Sequence, residues 1–371
     1  MPDNLIRAKK RRFFLLDIIR VVCAFLIYAR HSITMFGCTY GHFCDVLFTS
    51  LTSPVMTCFF ILSGFSIHYQ HREDELNETW TRNYLKKRLI SIMPCYLLVV
   101  LLWPLVYPEQ IRDWLVLLPV DLIGIQTFYR SLFGILHNGG TWFVSCLLFA
   151  YLIYPIIKAV LRGANRWVSV IGLMGIHFLL MYSVAVISIF SLDSLYSNPI
   201  ARAAEFSLGV IFSDILFNED DSAASLGHIR QKSAHWRITH KSCAGVCCVF
   251  AVSLISVIIS LVLQYNFRTL IFSFLVNPAI LLSLWMSSIV KSNTFENSKL
   301  LSALSGMSYQ FFLMQLFLWK LTSWVIEKVR LDGNIVKISV SLAVCMLCSY
   351  ATWKFYDKPI RKALSRKFLQ K

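Results

Sequence analysis

The sequence predicts an all-α polytopic membrane protein of about ten transmembrane helices with both termini in the cytoplasm. Three observations carry this. Of 371 residues, 57% are hydrophobic and 15% charged, against the ~25% charged residues of a soluble domain. Apolar runs of about 20 residues recur along the chain, the length at which a helix rising ~1.5 Å per residue crosses a ~30 Å hydrocarbon core. Basic residues gather in the short segments between alternate runs, as in cytoplasmic loops. The excess of 36 Lys and Arg over 20 Asp and Glu therefore sets topology and is not a nucleic-acid signal.

The basic N-terminus, residues 1–12, stays inside. The first helix, about Leu15 to Thr34, runs outward and is longer than a signal-peptide core, with no small-residue cleavage site after it. A second, Val46 to Tyr69, returns to a loop rich in base (Arg72, Arg82, Lys86, Lys87, Arg88). Leu89 to Tyr107 goes out, with Pro94 near its start. Trp114 to Tyr129 is short and interrupted by Pro119, Asp121 and Gly124, so it is expected to be half-inserted on the outer face. The remaining spans are Trp142 to Leu161, Val168 to Phe190, Pro199 to Phe217, Cys243 to Leu263, Leu270 to Ile289, Leu304 to Ile326 and Ile335 to Phe355. A polar loop, 218–242, is cytoplasmic and too short for a domain. Residues 13–357 thus form one transmembrane domain. The basic tail, 358–371, reads as a helix lying on anionic lipid. Lys328 and Arg330 are the chief exceptions to the charge pattern, and Trp324, Trp353, Tyr350 and Tyr356 suit interfacial belts. The chain has 11 cysteines, most of them in apolar runs as small hydrophobes. No CxxC pair is followed by a second, so no zinc site is expected. Cys38 and Cys44 flank an outer loop that would admit a disulfide.

The opening span is unusual for its charges: Asp17, Arg20, Arg30 and His31. A charge near the centre of such a helix costs roughly 2.5–3.5 kcal/mol on insertion scales, so charges here face protein or a cavity and are functional candidates. Arg20 and His31 are eleven residues apart, which leaves them only about 20° apart in direction and roughly 16 Å apart along the axis. Asp17 lies near the same face, three residues before Arg20, and can pair with it. Arg30 points about 100° away. The spacing suits a long anionic ligand with its phosphates at Arg20 and its reactive end at His31. The plainer reading is snorkelling for Arg20 and a satisfied polar contact for His31.

Seven short motifs resemble, in order, those of the membrane acyltransferase family 3, which includes many O-acetyltransferases of cell-surface glycans. Leu16-Asp17-Ile18-Ile19-Arg20 followed by His31 is similar to the family's LDxxR opening with its distal His. Phe59-Phe60-Ile61-Leu62-Ser63-Gly64-Phe65 is similar to FFxLSGF, and Lys87-Arg88 through Pro94-Cys95-Tyr96 to its basic segment before a proline. Trp142-Phe143-Val144 with Tyr151 and Pro155, Phe206 to Gly209, Ser308-Tyr309 to Leu313, and Asp357-Lys358-Pro359-Ile360-Arg361 resemble the later motifs. The resemblance departs at Ser91, where many members carry a second arginine, at Gln315, where a histidine is common, and at Asp357, where glutamate is usual.

The resemblance implies an integral membrane O-acyltransferase of the cell membrane. It would move an acyl group, acetyl by family habit, from cytoplasmic acyl-CoA to a hydroxyl of a cell-surface or lipid-linked glycan, with no metal. It assigns CoA phosphates to Arg20 and catalysis to His31. A histidine suits proton abstraction from an alcohol near neutral pH, and arginine offers a permanently charged donor fork. Arg88 and Lys87 would add charge at the cytoplasmic mouth, and Asp17 would hold Arg20. His31 would activate the hydroxyl for direct attack, a covalent acyl-histidine being the alternative. Tyr309 and Gln315 are candidates to line the cavity. Trp142 is expected as an interface anchor or a border of the acceptor site. Phe59 to Phe65 is expected to pack helices closely through Ser63 and Gly64. Glu205 is expected to pair with Arg202, and His68 with His71 lacks the company a metal needs. The competing function is a transporter or lipid-linked glycan carrier without acyl transfer, which would favour inverted repeats; none is visible.

Overall fold

The computed structural model describes residues 12–128, 140–182, 196–223, 280–281, 283–285, 293–330 and 333–369. Among these the chain is helical and has no strand. Helix α1 spans Phe14–Phe36, α2 His42–Ser50, α3 Thr52–His71, α4 Glu78–Val106, α5 Ile111–Ile123, α6 Thr141–Leu161, α7 Arg166–Tyr182, α8 Pro199–Ala223, α9 Lys299–Val329 and α10 Asn334–Ala351. A π-helical segment, Thr352–Asp357, then leads directly into α11, Lys358–Leu369.

Among the described residues, four helical stretches are long and apolar enough to cross a membrane: α4, α6, α9 and the continuous Asn334–Leu369. They become five if α2 and α3, bent by 42° at their junction, count as one. The expected spans Cys243 to Leu263 and Leu270 to Ile289 lie wholly or largely outside the described residues, as do most of loop 218–242 and the end of Val168 to Phe190.

The element boundaries follow local chemistry. Helix α1 stops at Gly37, which takes a left-handed φ of 64° and returns its N–H to the carbonyl of Ile33, a conformation glycine adopts at no steric cost. The basic loop expected up to Arg88 is shorter than the composition implied. Asn77 caps α4 by accepting the Trp80 N–H at 2.8 Å, so Lys86, Lys87 and Arg88 stand on a helix that begins eleven residues before Leu89. Helix α5 is 13 residues long, ~20 Å, too short for a ~30 Å core. Its end is tied to α4 by the Tyr96 hydroxyl, which donates to the Asp121 carbonyl at 2.6 Å.

Two helix pairs build the centre. Helices α1 and α9 run parallel: Asp17 meets Ser305, Phe25 and Tyr28 meet Phe311, and Phe36 stacks on Trp319 at 5.0 Å. Helices α3 and α8 touch backbone to backbone. A Cβ at Gly64 would overlap the Phe206 carbonyl, and one at Gly209 the Ile61 carbonyl. Gly64 is therefore the close contact expected of its motif, whereas Ser63 turns away to bond Tyr151 at 3.1 Å. Because both obstacles are backbone, neither can swing aside. Gly64→Ala and Gly209→Ala are each expected to cost about 1–3 kcal/mol as overpacking, read as a lowered Tm of the purified protein.

Arg202 and Glu205 pair at 2.7 Å, both buried, and Thr57 donates to the same carboxylate at 2.8 Å. This is the expected ion pair, and it ties α8 to α3. Cys38 and Cys44, which the loop would allow to bridge, are free thiols.

Candidate functional site

The geometry predicted for α1 is found in its packing. Arg20 and His31 both turn to the same neighbour, α9. Arg20 donates to Ser305 Oγ at 3.4 Å, and His31 interacts with Gln315 ten residues further along. Asp17 anchors the first of these groups. Its carboxylate accepts from Ser305 Oγ at 2.5 Å and from Arg12 Nε at 2.6 Å, and lies 3.6 Å from Arg20. Ser305 thus bridges the carboxylate and the guanidinium and orients the latter.

A cavity of about 230 Å³ opens beside Arg20 between α1, α3, α4, α6 and α9. This is below the ~300–1,000 Å³ of most small-molecule sites, so it fits part of an extended ligand. Tyr309, one of the two candidates named for a cavity lining, lines it with its hydroxyl given to the Ile92 carbonyl at 3.1 Å. Ser91, where the resemblance leads one to expect a second arginine, also lines it, together with Ser63, Ser305 and Ser308.

The second cation at this cavity comes from an unexpected place. Arg361 lines the cavity with Arg20. It is held at 2.6 Å by Asp357, which is completely buried and also accepts from Gln310 Nε2 at 2.8 Å. Arg361 Nε is buried with no hydrogen-bond partner. Asp357 closes the π-helical turn and Arg361 follows on α11; such turns insert an extra residue and recur at functional sites. The turn packs tightly, since a Cβ at Gly306 would lie 2.5 Å from the Trp353 ring. Trp353 is therefore part of the packing against α9, in addition to any belt role. The start of the tail, read as a lipid-surface helix, instead supplies a cavity residue.

Away from Arg20 the cavity ends on three rings. Phe59, Phe143 and Phe312 line it and touch one another at centroid distances of 6.0, 6.2 and 5.0 Å. His31 and Gln315 are not among the lining residues; they lie one helical turn past Phe312. There, His31 Nδ1 and Gln315 Oε1 are buried with no hydrogen-bond partner. Unpaired buried polar atoms are costly, and both of these remain available to a ligand.

The other sequence candidates fall elsewhere. Arg88 does not line the cavity. It donates to His71 Nε2 at 3.3 Å and packs over Tyr84 and Tyr151, the latter a cavity residue. Because His71 accepts from Arg88 at Nε2, its proton sits on Nδ1, which faces Asp74 at 2.7 Å. Lys87 is exposed on α4. Trp142 is neither interfacial nor at the cavity. It is 4% exposed and packs its face against the buried Arg202 guanidinium at 5.8 Å, which a π system stabilises where water is absent. His68 bridges Asp214 at 3.0 Å and Tyr154 at 3.2 Å. Among the described residues no group of three or more His, Cys, Asp or Glu is placed to hold a metal.

Apolar helices long enough to cross a bilayer thus surround a cavity that Arg20 and Arg361 both line. The model of the acyltransferase domain of family 3 matches residues 14–354, nearly the whole chain. The chain belongs to this family of membrane acyltransferases. No curated protein and no solved structure matches it.

Proposed function

We propose that the protein is a multi-pass O-acyltransferase of the cell membrane, acting on acetyl-CoA as donor and on a hydroxyl of a cell-surface or lipid-linked glycan as acceptor. In this reading α1 also spans the bilayer, the chain crosses ten times, and both termini are cytoplasmic. The observation that carries it is the common orientation of Arg20 and His31 toward α9, with Arg20 in a cavity it shares with Arg361.

The donor's phosphates meet Arg20 and Arg361. Each guanidinium is pre-oriented by a buried carboxylate, Asp17 or Asp357, so little side-chain entropy is lost on binding. Arg361 supplies the charge that Ser91 does not. Arg88 and Lys87 act further out, as part of the electrostatic approach. The pantetheine arm extends along the α1–α9 seam past the three phenylalanines to His31. The imidazole takes the proton of the acceptor hydroxyl as its oxygen attacks the thioester carbonyl. The carbon–sulfur bond breaks, and the leaving thiolate takes that proton back from the imidazolium, giving an ester and free CoA. Gln315 steadies the imidazole.

The reading is tested by titrating CoA into the purified full chain. Wild type is expected to bind. Arg361→Gln is expected to bind about tenfold more weakly, the loss of a charge-assisted hydrogen bond, with a matching rise in KM and little change in kcat. Absence of CoA binding by wild type would overturn the assignment of donor.

A further inference from the structure

A second cavity, of about 580 Å³, opens at the other end of the α1–α9 pair, within the ~300–1,000 Å³ of small-molecule sites. Its floor includes Phe36 and Leu316. Leu316 directly follows Gln315, and Phe36 stands five residues, ~7.5 Å along α1, beyond His31. The cavity therefore approaches the histidine from the side opposite Arg20.

Its walls combine flat aromatic faces with paired donors and acceptors. Trp103 and Tyr107 stack at 4.1 Å and 10°. Trp103 donates its ring N–H to Gln110 Oε1 at 2.9 Å, which orients that amide and leaves its N–H₂ as a donor. Trp324 carries Lys328 against its ring at 4.0 Å yet is 54% exposed. Lys320, 4.0 Å from Glu109, Lys337 and Glu327 bring both signs of charge to the opening. Lys328 is one of the two bases that broke the loop-charge pattern; here it has a partner ring to pack on.

This lining selects by chemistry. A lipid tail has no use for Gln110, Lys320 and Glu327. A phosphate would find Lys320 already beside Glu109 and a carboxylate, Glu327, at the same opening. A pyranose ring fits both aspects: its C–H face packs on aromatic rings, and its hydroxyls need donors and acceptors around the ring edge. We infer that this cavity is a sugar-binding site, holding one pyranose of the glycan acceptor against Trp324 and Trp103 with a hydroxyl directed toward His31. The role of the bound sugar rests on the acyl-transfer reading; the binding itself does not.

The test uses the full chain in phosphatidylglycerol nanodiscs, with saturation-transfer NMR of methyl glucoside, galactoside, mannoside and N-acetylglucosaminide. At least one is expected to receive saturation at its ring C–H protons. Trp324→Ala, a change at an exposed ring that leaves CoA binding intact, is expected to weaken that glycoside by about tenfold, and Trp324→Tyr to restore most of the affinity. Leu347→Ala, exposed on α10, changes nothing. No saturation of any glycoside by wild type, unchanged binding by Trp324→Ala, or saturation of added glycerophosphocholine in place of the sugars would each overturn the proposal. CoA binding without sugar binding sinks this site and spares the acyl-transfer reading. Sugar binding without CoA binding does the reverse.

Discussion

His31→Ala is expected to abolish acyl transfer while leaving the donor bound. Removal of a general base lowers a rate by ~10²–10⁴-fold, and no neighbour among the described residues is placed to replace it. The nearby polar group is the Gln315 amide, which cannot take a proton at neutral pH. The loss should fall on kcat, because His31 lies beyond the three rings that end the Arg20 cavity, away from the phosphates. CoA affinity should therefore stay near wild type. Rapid quenching without acceptor separates two chemistries: an acid-labile acyl-imidazole accumulates if the histidine is acylated, and none forms if the hydroxyl attacks directly. A His31→Ala protein with full activity would remove the residue from the mechanism.

Arg20→Ala is expected to have the next largest effect, on binding. A hydrogen bond to a charged partner contributes ~1.5–3 kcal/mol, so donor affinity should fall roughly 10–100-fold with kcat at saturation little altered. The variant also strips Ser305 of one partner and leaves Asp17 with Arg12 and Ser305, which keeps the buried carboxylate bonded. Arg20→Lys should recover only part of the affinity, because an ammonium cannot reproduce a fork aimed by Ser305. Titration of CoA into each variant checks this, and equal affinities for wild type and Arg20→Ala would place the phosphates elsewhere.

What could be read in the sequence was what depends on one helix at a time. The shared face of Arg20 and His31 needs only the helical period, and the pairing of Arg202 with Glu205 needs only their spacing. Gly64 was legible as a close contact because a small residue in an apolar span has few other uses. What was missed depends on the assembly of distant segments. Ser305, which positions both Asp17 and Arg20, is some 288 residues from Asp17, and nothing local in a serine announces that. Arg361 was hidden by its company: seven bases from Lys354 to Lys371 read as a lipid-surface tail. The signal that singles it out was present, an acid at Asp357 one turn before it at i,i+4 spacing, in a stretch otherwise without acids. Trp142 was misplaced because a tryptophan at the end of an apolar run normally marks the bilayer interface. Only the fold shows that a buried arginine needs its face.

The central claim, that one chain carries an acyl group from a coenzyme thioester to a sugar hydroxyl, is tested most directly by giving the purified full-length protein acetyl-CoA and surface glycan from its own host. Free thiol and alkali-labile acetyl ester are then followed together. They are expected to appear one for one, and neither is expected with His31→Ala. Movement of glycan across the bilayer with no thiol released would contradict it.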